Sequence, residues 1–272
     1  MPRSSFRMAG ERASRGPAER GALDAEPIVH QTAPMRAGPL ALVGGDELNP
    51  GNEEQDAVLI RTAGDGPAFV LATAAARQHP ELAVRHARDW FRALGLAVEE
   101  LPARRRSDAT SARNVELARA GRFFYLVGGD PGLVPDVLSE TPLWDAVVEA
   151  WRAGAALAGS SAGAMALGEW TLIRARYPGD RRRRPRPALT LVPGVAVIPH
   201  FDTFGAGWVE GTAATAPRED AVLVGIDERS AALWQDGVWR AFGPGGVTLI
   251  GDAGRRRFAS GEHLEGFPQP LV

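Results

Sequence analysis

The sequence predicts a three-layer α/β protein: a flavodoxin-like, mostly parallel sheet with helices on both faces and a C-terminal hairpin. Short apolar runs alternate with amphipathic helical stripes, the strands end on Gly-rich segments, and no internal repeat interrupts the alternation. With 272 residues, 44% of them hydrophobic, the chain can bury a full core, and one large domain fits better than two small ones. Residues 1–37 are rich in Arg, Pro, Gly and Ser without apolar periodicity, and a disordered tail is expected there. The α/β domain is expected over 38–256 and a C-terminal tail over 257–272.

The first strand is expected at Leu40–Val43, running into Gly44-Gly45, and the second at 68–72. A helix follows over 80–94, with Leu82, Ala83, Ala87, Trp90, Phe91 and Leu94 on one stripe and Gly95 as its stop. A strand at 96–101, a short helix capped by Ser111 and ended by Gly121, and a strand at 123–127 come next. Thr141-Pro142 opens another helix in the N-cap and N1 positions those residues prefer. It carries Trp144, Val147, Val148 and Trp151 at helical spacing and closes at Gly154. A short apolar strand at 155–158 passes through Gly159-Ser160-Ser161-Ala162-Gly163 into an expected helix over 164–170. Val195–Ile198 and Val222–Ile226 read as strands ending on Pro199-His200 and Asp227-Glu228. The runs 231–234 and 238–242 face each other across Gln235-Asp236-Gly237 as a hairpin.

Composition excludes several chemistries. A net charge of -2 gives no global pointer to nucleic acid or a membrane surface. No run reaches the roughly 18 apolar residues of a membrane span. The N-terminal segment lacks the apolar core of a signal peptide, so a cytoplasmic protein is expected. Cysteine is absent, which rules out disulfides, thiolate–metal sites and a cysteine nucleophile.

Gly159-x-Ser161-x-Gly163 between a buried strand and a helix fits a nucleophile elbow, in which the glycines permit the tight turn. Ser161 would stand at a helix N-terminus, where free N–H groups favour developing negative charge. Small residues at this spacing also serve close strand-to-helix packing. A serine nucleophile needs a base. Of five histidines, only His200 falls at the C-terminal end of an expected strand, where ligand sites of open α/β sheets form. Gly128-Gly129-Asp130 ends another strand; it is either a plain Gly-rich turn, a phosphate loop, or half of an oxyanion hole completed by the Ala162 N–H. The segment is not G-x-G-x-x-G and the chain has no P-loop pattern, which weighs against a nucleotide. The arginines at 181–184, with Arg186, form a basic run that reads as a solvated loop or as an attractor for an acidic substrate group.

The segment Phe124-Tyr-Leu-Val-Gly-Gly-Asp130, the Trp-bearing helix, Gly159-Ser-Ser-Ala-Gly-Ala164 and Ile198-Pro-His-Phe201 together resemble peptidase family S51, which includes aspartyl dipeptidase and cyanophycinase. The fold of that family resembles class I glutamine amidotransferases. The resemblance covers roughly 39–252 and extends to Ile226-Asp-Glu-Arg-Ser-Ala231. It implies a serine-type peptidase or amidohydrolase with Ser161 as nucleophile, His200 as base, and Gly129 and Ala162 as oxyanion donors; the alternatives are a non-catalytic binding or regulatory protein of the amidotransferase-like fold and a small-molecule esterase or amidase. The amidotransferases use cysteine at the elbow, so glutamine hydrolysis by that route is not expected. The family places an acid between Ser and His, where this chain offers Asp180, the better match by spacing, and Glu169; Glu228 is a third candidate. Cyanophycinases carry an Asp-Gln pair before the histidine and arginines after it. Ile198-Pro199 and Asp202-Thr203-Phe204-Gly205 stand here instead, so the cyanophycin pocket does not carry over. The expected partner is a small peptide or amide substrate, with a homodimer allowed for; no metal, cofactor, nucleic acid or membrane is expected.

Overall fold

The computed structural model describes residues 36–174, 183–209, 211, 221–251 and 254–272. The expected tail at 1–37 falls almost wholly outside them, as does Asp180. The chain opens with β1 (Leu40–Val43), α1 (Glu53–Ala63), β2 (Ala68–Leu71), α2 (Pro80–Ala93) and the two-residue β3 (Glu99–Glu100). It continues through α3 (Arg106–Ala109), α4 (Ala112–Ala120), β4 (Phe123–Leu126), α5 (Leu133–Leu138), α6 (Pro142–Arg152) and β5 (Ala156–Ser160). After α7 (Ala162–Leu167) come β6 (Trp170–Arg174), β7 (Arg183–Pro187) and β8 (Val195–Ile198). The chain ends with β9 (Val222–Ile226), β10 (Ala231–Gln235), β11 (Val238–Phe242), β12 (Val247–Gly251) and β13 (Gly254–Phe258).

The central sheet has the order β11-β10-β1-β5-β4-β2-β3. Strands β1 to β5 run parallel, and the predicted hairpin β10–β11 joins β1 antiparallel at its edge. Strands buried on both faces need apolar residues at nearly every position, which explains the apolar runs of β1, β2 and β4 and of residues 156–158 in β5, whereas β3 at the edge is Glu99-Glu100. Successive side chains point to opposite faces and divide between two cores. Ala41, Val43, Val70, Phe123 and Tyr125 pack with Leu59 of α1 and Val84, Ala87 and Phe91 of α2. Leu40, Leu42, Leu71, Phe124 and Leu126 pack on the opposite side with residues of α4, α6 and α7. Those three layers are the predicted architecture.

Several details differ from the sequence reading. Helix α1 was not expected. The expected strand at 96–101 narrows to β3, because Leu96 and Val98 are buried without extended pairing. The expected helix over 164–170 stops at Leu167, since Gly168 takes an extended conformation and the β-prone Trp170-Thr171-Leu172-Ile173 pairs with β7. Strands β8 and β9 are parallel to each other but lie outside the central sheet. They form a second sheet of order β13-β12-β9-β8, whose Val197, Val224 and Val247 share the core on the α6 side. Residues 257–272 complete β13 and pack on the body: Leu264 and Phe267 are buried, and Trp239 Nε1 donates to the Pro268 carbonyl at 3.0 Å. Among the described residues, no helix is long and apolar enough to cross a membrane.

Candidate active site

Strands β1, β4 and β5 end side by side, and their C-terminal ends meet those of β8 and β9. At the end of β5 the backbone turns sharply. Ser161 has φ 49° and ψ -112°, a region that side-chain-bearing residues rarely occupy and that persists only where its surroundings impose it. Here the glycines of the elbow impose it. A Cβ on Gly159 would lie 2.6 Å from the Gly163 backbone, and one on Gly163 would lie 2.3 Å from the Leu126 carbonyl oxygen. The Ser161 N–H donates to the Val43 carbonyl at 3.0 Å, tying the turn to β1.

The hydroxyl of Ser161 lies 3.1 Å from His200 Nε2, and His200 Nδ1 lies 2.7 Å from Glu228 Oε1. A carboxylate only accepts, so the proton of a neutral imidazole sits on Nδ1 and leaves the Nε2 lone pair for the serine hydroxyl. His200 also has positive φ and is held on every side. Its N–H donates to the Gly44 carbonyl at 2.7 Å, its ring lies where a Cβ of Gly45 would be, and Phe204 stacks on it at 4.8 Å between centroids. Glu228 is oriented in turn: its own N–H donates to Asp202 Oδ1 at 3.0 Å, and Thr203 Oγ1 donates to its Oε1 at 3.4 Å.

The structure therefore brings Ser161, His200 and Glu228 together. Glu169 is not with them: it sits on the link between α7 and β6, and its Oε2 accepts the Gly194 N–H at 2.5 Å. Shortening of the expected helix is what moves it onto that link. Asp180 lies outside the described residues. The preference for an acid between Ser161 and His200 in the chain thus gives way, at the imidazole, to a carboxylate beyond them. The signal for it was the Asp227-Glu228 pair at the end of a strand: Asp227 turns inward to Arg257 at 2.5 Å, and Glu228 turns to the site.

Gly129 has φ 145°, and a Cβ there would lie 2.3 Å from the Ala74 carbonyl oxygen, so this position requires glycine. Gly129 and Ala162 both border, with Ser161 and His200, a cleft of about 670 Å³. Arg77, Arg183 and Arg186 line the same cleft, so part of the basic run faces it. The Arg183 guanidinium lies 4.1 Å over the Trp208 ring, and Arg186 pairs with Asp136. A smaller cleft that also reaches Ser161 and His200 is lined by Glu47, Gln78, His79 and His86. Sequence reasoning had passed over Glu47 and Trp208, which carry no motif of their own. Among the described residues, no group of three or more His, Cys, Asp or Glu side chains clusters as a metal site would.

This chain is similar to the cyanophycinase of Synechococcus elongatus, 28% identical over 219 residues, which are 76% of this chain and 66% of that protein. It therefore spans just under two thirds of that relative's length. The cyanophycinase of Nostoc sp. is 27% identical over 235 residues, 84% of this chain and 78% of that protein. The crystal structure of a peptidase from an acI-B1 Actinobacterium superimposes with a TM-score of 0.74 at 29% identity, covering 85% of this chain and 98% of the other. The model of peptidase family S51 matches residues 40–240, from β1 to β11 and across every residue of the site, and the chain belongs to that family.

Proposed function

We propose that this chain is a serine-type peptidase or amidohydrolase that cleaves a small peptide or amide through an acyl-enzyme. The observation that carries the proposal is the continuous contact from Ser161 Oγ to His200 Nε2 and from His200 Nδ1 to Glu228 Oε1. In this reading His200 takes the hydroxyl proton as Ser161 attacks the carbonyl carbon. The carbonyl oxygen gains negative charge and is received by the N–H groups of Gly129 and Ala162. Collapse of the tetrahedral intermediate expels the amine, which His200 protonates. Water, deprotonated by His200, then releases the acid and regenerates the serine. Glu228 holds the imidazole tautomer and stabilises the imidazolium formed in each half-reaction.

A cleft of about 670 Å³ suits a small peptide rather than a folded chain. Its lining carries Arg77, Arg183 and Arg186 against Asp130 and Asp136, an excess of positive charge that supports a substrate bearing an anionic group, and Ile198-Pro199 before His200 supports one other than cyanophycin. A fluorophosphonate probe tests the chemistry: it is expected to label Ser161 and to leave Ser161→Ala unlabelled. Mass-spectrometric mapping of the adduct to Ser160, or no adduct at all, would refute the assignment. A dipeptide panel against matched esters then defines the bond cleaved.

A further inference from the structure

We infer that Glu47 is a positioning residue of the oxyanion hole, acting through one carboxylate that clamps two strand ends. The inference rests on the serine-hydrolase reading above. Glu47 stands in the loop after β1, and its two oxygens have separate duties. Oε1 accepts the backbone N–H of Gly128, just past β4, at 2.7 Å. Oε2 accepts the hydroxyl of Ser160, the last residue of β5 and the neighbour of the nucleophile, at 2.8 Å.

Those two strand ends carry the two N–H groups that the mechanism needs. Along the first, the Gly128 N–H goes to Glu47 and the Asp130 N–H goes to the Ala74 carbonyl at 2.8 Å. The flanking N–H groups are both engaged by acceptors of the protein, which leaves Gly129 between them to present its own. Along the second, Glu47 fixes Ser160 by its side chain and Val43 fixes Ser161 by its N–H, one residue before Ala162. Gly128 lies between the clamp and the nucleophile, since a Cβ on it would be 3.1 Å from Glu47 Oε1 and 3.2 Å from Ser161 Cβ. A carboxylate is the side chain that can accept from both donors at once. The same loop reaches the other side of the site, where Gly44 holds His200 and the Gly45 carbonyl accepts the Arg229 N–H at 2.8 Å.

Oxyanion donors act only when aimed at the charge that develops in the transition state, so their misalignment lowers kcat and leaves substrate binding largely alone. Losing one such donor costs roughly 10²- to 10³-fold in other enzymes, and tilting the pair is expected to cost about 10²-fold. Glu47→Ala should therefore slow phosphonate labelling of Ser161 and peptide hydrolysis by about 10²-fold, with KM changed by less than about threefold. Glu47→Gln should recover most of the rate, because its amide oxygen accepts from Gly128 and its NH₂ donates to Ser160 Oγ. A role of the negative charge alone would slow both variants equally, and equal rates would overturn the proposal, as would a wild-type rate in Glu47→Ala. If Glu47→Ala does not fold, Ser160→Ala removes one of the two anchors. It should slow labelling by about tenfold, roughly the square root of the 10²-fold expected for the pair, and an unaltered rate overturns the proposal. Ser161→Ala in the same assays separates the two readings. Activity retained there defeats the serine mechanism and this proposal with it, whereas activity lost there but kept in Glu47→Ala defeats the clamp alone.

Discussion

Two glutamates near the site show how environment assigns work to one residue type. Glu228 and His200 have side chains 24% and 20% exposed, so the pair is shielded but not dry. A positioned carboxylate at Nδ1 fixes the imidazole tautomer, and its loss in other triads costs up to about 10⁴-fold in kcat. Glu228→Gln is expected to lower kcat by roughly 10³- to 10⁴-fold with KM little changed, measured by steady-state kinetics on any peptide the wild type cleaves. Glu169 has a different task, because its carboxylate caps the Gly194 N–H in a turn before β8. Glu169→Ala should keep kcat and lose about 1–2 kcal/mol of stability, the cost of stranding a shielded donor. A large kcat loss in Glu169→Ala, with none in Glu228→Gln, would reverse these assignments. With Nδ1 of His200 already engaged, Asp180→Asn is expected to retain activity.

Helix α1 shows why an element can hide in a sequence. Its inward stripe is Gln55, Asp56, Leu59 and Ala63, so the end nearest the site is polar and the apolar period is broken. The polar residues point inward because they bind other buried groups. Gln55 Nε2 donates to Asn52 Oδ1 at 2.9 Å, and Trp90 of α2 donates to Asp56 Oδ2 at 2.7 Å, joining the two helices. Burial pushes the Asp56 carboxyl from its usual 3.8 up to about 7, helped by Glu53 and Glu47 and opposed by the Trp90 bond. The folded state then holds a proton that the unfolded chain gives up. The contribution of Asp56 to stability is fully present below about pH 4, declines as pH rises to about 7, and is flat above that. Asp56→Asn keeps an acceptor for Trp90 and cannot ionise. Urea denaturation should find it more stable than the wild type by a few kcal/mol at about pH 8, an advantage that shrinks by about pH 5. The same difference at both pH values would contradict this account.

At the scale of the whole molecule, the site straddles a junction between sheets. Ser161 follows a strand of the central sheet, whereas His200 and Glu228 follow strands of the second. The end of β1 forms the joint. The Gly44 N–H donates to the Ser230 carbonyl at 2.9 Å, its carbonyl accepts from His200 at 2.7 Å, and a Cβ on it would lie 2.1 Å from the Asp227 carbonyl oxygen. Gly44→Ala must push the sheets apart at that point. Overpacking of this kind costs about 1–3 kcal/mol, which corresponds to a fall of roughly 2–12 °C in Tm for a domain of this size. Activity should fall further than stability, because the displacement separates Ser161 from His200. Differential scanning fluorimetry with phosphonate labelling checks both, and wild-type values in each would show that the junction yields without effect.

What the sequence determined by itself is what short-range physics can encode. Strands β1, β2 and β4 are unbroken apolar runs, as is the first part of β5, because both of their faces are covered, and that pattern survives without knowledge of neighbours. The elbow was legible for the same reason: Gly159, Ser161 and Gly163 lie within one turn, and their geometry is a local steric matter. His200 and Gly129 were legible as residues at strand ends. Only the tertiary structure decided which strands share a sheet, because β8 and β9 have the same apolar signature as the strands of the central sheet. It alone placed Glu228 on the imidazole, a pairing between residues 28 apart that no periodicity announces. The same holds for Glu47, whose partners are 81 and 113 residues away. A carboxylate in a loop is chemically alike wherever it stands, and what it does depends on the donors that folding carries to it.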